Sequence, residues 1–115
     1  MERFITSCRY ASLPTFDPTE LVGCVKHLLK VDRDWMPAQL DHALYLRMAA
    51  ISTENFLGVR HPKSTKLFAF LSPTGNYTEK QKAASGYANT HFHRAYKHGF
   101  GDKMLGANFA PTILQ

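Results

Sequence analysis

The residues best suited to chemistry crowd into GFGDKMLGANFAPT, positions 99–112. Gly99, Gly101 and Gly106 stand close together there, followed by Asn108, an aromatic and Pro111. Glycines at this density let a backbone take positive φ or approach another group closely. Pro111 suits the first turn of a helix, where its missing N–H is not needed. From the residues alone, the stretch is a turn entering a helix. Inside it, Lys103 carries an amine that could form a Schiff base or move a proton if suitably placed. Its neighbour Met104 carries a thioether with no useful basicity. Just upstream, His91, His93 and His98 cluster with Lys97. On a strand, His91 and His93 would share a face, half of a zinc or copper site. A pair is only half a site, so the expectation is solvated histidines on a loop and no metal.

The elements that must position these groups can be read from the rest of the chain. Its 115 residues suffice for one domain with a core, and 44% apolar residues is ordinary for a globular protein. No apolar run approaches the ~20 residues of a membrane span, and no signal or transit peptide is visible at the start. Cys8 and Cys24 make no metal or redox motif, which fits a reducing compartment. A net charge of +5 permits contact with anions, but the fourteen basic residues are spread along the chain rather than clustered. Neither a nucleic acid nor a membrane is expected as a partner.

Met1, Phe4, Ile5 and Cys8 have helical spacing, and Leu13-Pro14 closes that run. Asp17 as N-cap, Pro18 at N1 and Glu20 at N3 announce a second helix, from about Pro18 to Lys30. DRDWMP breaks it. Ala43–Ile51 reads as an edge strand with Leu44, Leu46 and Met48 on one face and Tyr45 and Arg47 on the other. The run KLFAFL, 66–71, is expected to be a buried strand. Ser72–Asn76 is turn chemistry, and 83–98 would hold a short strand and a loop.

Several blocks together carry a resemblance. Leu13, Pro14, Phe16, Asp17, Glu20, Leu21 and Cys24 form the first, and Lys30, Asp32, Trp35 and Pro37 the second. Leu44, Tyr45 and Arg47 follow, then Leu57, Gly58, Val59 and Pro62, then Leu71, Ser72, Pro73, Gly75 and Tyr77. Arg94, Ala95 and Tyr96 lead into Gly99, Gly101, Gly106, Ala107, Asn108, Ala110, Pro111 and Thr112. In this order and spacing the chain resembles the branched-chain amino-acid aminotransferases, fold-type IV enzymes dependent on pyridoxal phosphate.

The resemblance implies an α/β fold, which the short chain would show locally as α+β: two helices packed on short strands. It further implies a truncated member of the family. Residues 1–72 would be the C-terminal part of the small domain, 73–78 the interdomain linker, and 79–115 the beginning of the large, cofactor-binding domain. The family transaminates leucine, isoleucine and valine with 2-oxoglutarate, so amino acids and 2-oxo acids are the implied small-molecule partners. A homodimer or a full-length homologue is the implied protein partner, and the compartment would be cytoplasmic or mitochondrial.

Site residues follow by the same resemblance. Arg3 matches an arginine that binds the cofactor phosphate, a task suited to a bidentate guanidinium. Tyr45 and Arg47 match residues of the substrate pocket, and Arg94 matches another arginine near the site. At the family's Schiff-base lysine stands Met104, and at its cofactor tyrosine stands Phe109. Lys103 is one residue early. In an extended segment it would face away from Arg3 and behave as an ordinary exposed amine. The expected outcome is a protein without turnover of its own, with a non-catalytic ligand-binding or interaction protein as the alternative.

Overall fold

In the computed structural model the described residues are 1–75 and 85–113. Tyr77, part of the 73–78 segment and the first residues of 79–115 lie outside them, as do positions 114 and 115.

Helix α1 spans Glu2–Tyr10. It ends where Ser12 turns to φ 57°, with the Ser12 N–H on the Arg9 carbonyl (3.0 Å) and the Leu13 N–H on the Cys8 carbonyl (2.9 Å). That pair of bonds is the Schellman arrangement, which satisfies carbonyls the helix leaves without partners. Pro14 then prevents the helix from resuming. Helix α2 spans Pro18–Val31, with Pro18 in its first turn. The Asp17 carboxylate accepts from the Thr19 N–H at 2.7 Å and the Glu20 N–H at 3.4 Å, as its cap chemistry requires. A single 3-10 turn, Arg33–Trp35, follows within DRDWMP.

Strands β1, Ala43–Ser52, and β2, Thr65–Thr74, pair antiparallel over ten residues each, with Leu46 opposite Leu71 and Ala49 opposite Phe68. The loop between them is closed by one carboxylate. Glu54 accepts from the Lys63 N–H (2.7 Å), the Ser64 N–H (3.1 Å) and the Arg60 guanidinium (2.8 Å). These donors, the Lys63 amide first, hold its carboxyl below the usual range. A short 3-10 turn, Ala110–Thr112, contains Pro111 where a helix entrance was expected.

Three expectations need correction. KLFAFL is not buried on both faces: Leu67, Ala69 and Leu71 are half-covered, while Phe68 and Phe70 are 38% and 46% exposed. Among the described residues no second layer covers that face, so the pleat sorts an uninterrupted apolar run into covered and open sides. Ser72, Pro73 and Thr74 are not turn but the end of β2. Proline is tolerated there because, in the two-stranded sheet of the described residues, β2 is an edge strand. Between 85 and 98 no strand forms. Instead Asn89 accepts the N–H groups of His91 (2.7 Å) and Phe92 (3.0 Å), a local turn that competes with strand pairing.

The core is small. Among the described residues, Cys8 and Leu21 are the apolar residues that are buried, and no large side chain is sealed off completely. The radius of gyration is 17.8 Å, against about 13 Å for a compact domain of this length.

Candidate functional site

Helix α1 and the glycine-rich segment, far apart in sequence, form one unit. Arg3, Ser7 and Tyr10 lie four and three positions apart, hence on one face of α1. All three engage the segment. The Arg3 guanidinium donates to Met104 Sδ at 2.7 Å. The buried Ser7 hydroxyl accepts from the Met104 N–H at 2.9 Å and donates to the Arg3 carbonyl at 2.8 Å. The Tyr10 hydroxyl donates to the His98 carbonyl at 2.9 Å, and its ring meets Phe100 edge-on at 5.8 Å.

Lys103 and Met104 leave the segment toward different neighbours. Met104 meets Arg3. Lys103 instead lies over the Tyr10 ring, 4.3 Å from its centroid, and pairs with Asp102 at 2.5 Å. Its amine also reaches the Gly99 carbonyl at 3.4 Å. Lys103 is therefore not the free surface amine expected from sequence: its side chain is only 12% exposed. The aliphatic stem packs while the charge finds an anion and a ring face. The Lys103 hydrogen bond in turn holds the Asp102 carboxyl below its usual range. A cleft of about 630 Å³ opens beside Lys103, bordered also by Tyr96, Lys97, His98 and Asp102; neither Arg3 nor Met104 lines it.

Arg94 fastens the other end of the segment. One of its Nη atoms donates to the Gly101 carbonyl and to Asn108 Oδ1, both at 2.9 Å, and its guanidinium lies 5.5 Å from the Phe109 ring centre. Asn108 is 3% exposed, so this donor satisfies an acceptor that water cannot reach. Gly99 and Gly101 contribute close approach, to Tyr96 and Ala95, rather than positive φ, which none of the described glycines adopts. A Cβ on Gly101 would lie 2.7 Å from Ala95 Cα, closer than any real side chain tolerates.

Tyr45 and Arg47 stand apart. Both sit on the open face of β1, and the Arg47 guanidinium is 5.2 Å from the Tyr45 ring. Among the described residues no hydrogen bond, ion pair or ring contact joins them to Arg3, Met104 or Arg94. His91, His93 and His98 do not gather with other ligands, and no group of three metal-binding side chains forms among the described residues. Burial pushes the Cys8 thiol up, away from thiolate chemistry at neutral pH. Sequence reasoning missed Ser7 and Tyr10. Their i, i+4, i+7 spacing with Arg3 was the available signal.

No protein-family model matches the chain. Individual proteins do. It is 41% identical over 116 residues to the mitochondrial branched-chain-amino-acid aminotransferase of Bos taurus, covering 99% of this chain and 30% of that protein. The cytosolic branched-chain-amino-acid aminotransferase of Ovis aries is 38% identical over 115 residues, with 98% of this chain and 30% of that one covered. The branched-chain-amino-acid aminotransferase of Dictyostelium discoideum is also 38% identical, over 114 residues, with the same coverage. The chain thus spans about 30% of the length of these relatives. No helix among the described residues is long and apolar enough to cross a membrane.

Proposed function

We propose, for a chain homologous to the branched-chain-amino-acid aminotransferases over 98% or more of its own length, that it is an aminotransferase-like protein without turnover of its own. The relatives are named for mitochondrial and cytosolic forms, and the substrate class proposed here, leucine, isoleucine and valine with 2-oxoglutarate, follows the family. The observation that carries the reading is the contact between Arg3 and the Met104 sulfur at 2.7 Å. Arg3 is the proposed phosphate-binding arginine and position 104 the proposed Schiff-base position. Where an amine would stand beside that guanidinium there is a thioether, a weak acceptor with no proton to give or take.

The residues around position 104 do not fit covalent attachment of pyridoxal phosphate. The nearest amine in sequence, Lys103, is turned onto Tyr10 and neutralised by Asp102. Phe109 offers no hydroxyl, and its ring faces Arg94. A second reading has its own support: a ligand-binding or interaction protein using Arg3, which is exposed and has no carboxylate partner among the described residues. Such a guanidinium suits an oxyanion.

The test compares the chain with Met104→Lys, each supplied with pyridoxal phosphate, leucine and 2-oxoglutarate. The chain itself is expected to form no glutamate above a heat-killed control. Turnover by the unaltered chain overturns the proposal.

A further inference from the structure

We propose that Met104 is an oxidation site for peroxide, and that its sulfoxide tightens the contact between α1 and the glycine-rich segment. The chain has four methionines, Met1, Met36, Met48 and Met104. Met1 caps α1, and Met48 is half-buried on β1. Met36 and Met104 are equally exposed, each at 57%. What distinguishes Met104 is its partner. Its sulfur accepts from the Arg3 guanidinium at 2.7 Å, and among the described residues no side-chain donor meets the Met36 sulfur.

A thioether sulfur has two lone pairs, and the Arg3 bond engages one of them. The other is free to attack one oxygen of hydrogen peroxide. The O–O bond breaks, and the departing oxygen takes the proton of the transferred hydroxyl and leaves as water. Sulfur gives up two electrons to the peroxide, and a neutral sulfoxide replaces the thioether.

In a packed core that change is disruptive, because the new dipole is cut off from water. Met104 is more than half exposed, so the cost is small there. The gain lies in the acceptor. A thioether sulfur accepts weakly, whereas a sulfoxide oxygen carries a large partial negative charge and faces a guanidinium, which makes the bond charge-assisted. Arg3 is exposed too, so its side chain has room to step back by the length of one S–O bond. One partner belongs to α1 and the other to the segment, so a stronger bond holds the two together. The Met104 N–H reports that union, because its acceptor at 2.9 Å is the Ser7 hydroxyl of α1. This proposal does not depend on whether the chain binds a cofactor.

Mild treatment with hydrogen peroxide, followed by peptide mapping and amide hydrogen exchange, tests it on the whole chain. Mapping is expected to place one added oxygen on Met104. Its amide is expected to exchange about tenfold more slowly than before treatment, as a weak acceptor gives way to a charge-assisted one. Met104→Leu carries Met1, Met36 and Met48 through the same treatment, and its residue 104 amide is expected to keep its rate. Arg3→Leu leaves the Met104 sulfur oxidisable and is expected to remove the slowing. Should that variant fail to fold, Arg3→Gln, a donor without charge, is expected to show less of it. The proposal is overturned by a Met104 that stays a thioether while Met36 is oxidised, or by a sulfoxide form whose amide exchanges as fast as before. Slowing in Met104→Leu, or slowing as large in the Arg3 variant as in the parent chain, also overturns it.

Discussion

Replacing Arg94 by methionine keeps most of the side-chain volume and removes both hydrogen bonds that close the glycine-rich segment. Two acceptors lose their donor, the Gly101 carbonyl and Asn108 Oδ1, each now held at 2.9 Å. Gly101 is half-exposed, so water replaces much of what is lost there. Asn108 is 3% exposed, and its oxygen is left unsatisfied, at a cost of about 1–3 kcal/mol. Loss of the guanidinium from the Phe109 face adds about 0.5–1 kcal/mol. The unit should therefore open more easily by about 3 kcal/mol, or on the order of 10²-fold in its opening equilibrium.

Hydrogen exchange reads this directly. The amides of Gly99, Lys103, Met104 and Asn108 all donate inside the unit, to Tyr96, Phe100, Ser7 and Leu105. They are expected to exchange faster in Arg94→Met by about that factor, while β1 and β2 amides keep their wild-type rates. Arg94→Lys retains the charge without the fork and should fall between. Unchanged exchange at Asn108, or equal acceleration in the hairpin, would refute the reasoning.

Two further predictions rest on single groups. Asp17→Ala removes the α2 cap and is expected to cost about 1 kcal/mol, seen as lost helical ellipticity and a lower Tm, whereas Asp17→Ser should recover most of it. Glu54 titrates below its ordinary value, so the contribution of its loop is present above the unfolded pKa of ~4.3 and is lost as pH falls through the lower folded value. The Lys63 and Ser64 amide resonances should report that titration, and a midpoint at or above the ordinary value would contradict it.

The legible parts of this fold were the local ones. The cap of α2 was written in Asp17, Pro18 and Glu20, because a cap needs only its own four residues. The two faces of β1 were written in the alternation from Leu44 to Met48. The pairing of β1 with β2 was not read, because a loop of residues 53–64 separates them and carries no tight-turn signature. The exposure of Phe68 and Phe70 was illegible for a different reason. A run of apolar residues states what would be buried, not whether a second layer exists to bury it. At the site, the resemblance pointed to Arg3, Arg94, Met104 and Phe109 as the positions to expect. The side chains that join them depend on α1 meeting a segment about a hundred positions away, which no local pattern encodes. Lys103 shows the limit most clearly: alternation separated it from Met104, yet its partners Tyr10 and Asp102 had to come from the fold.

The central claim is that position 104 does not hold pyridoxal phosphate and that Lys103 does not replace it. The direct measurement is to incubate the chain with stoichiometric pyridoxal phosphate, reduce with borohydride, and map the modified lysines by mass spectrometry. Exposed Lys26, Lys30 and Lys66 should be labelled sparsely and without preference, and Lys103, pinned between Tyr10 and Asp102, less than any of them. Stoichiometric, selective labelling of Lys103 would contradict the account.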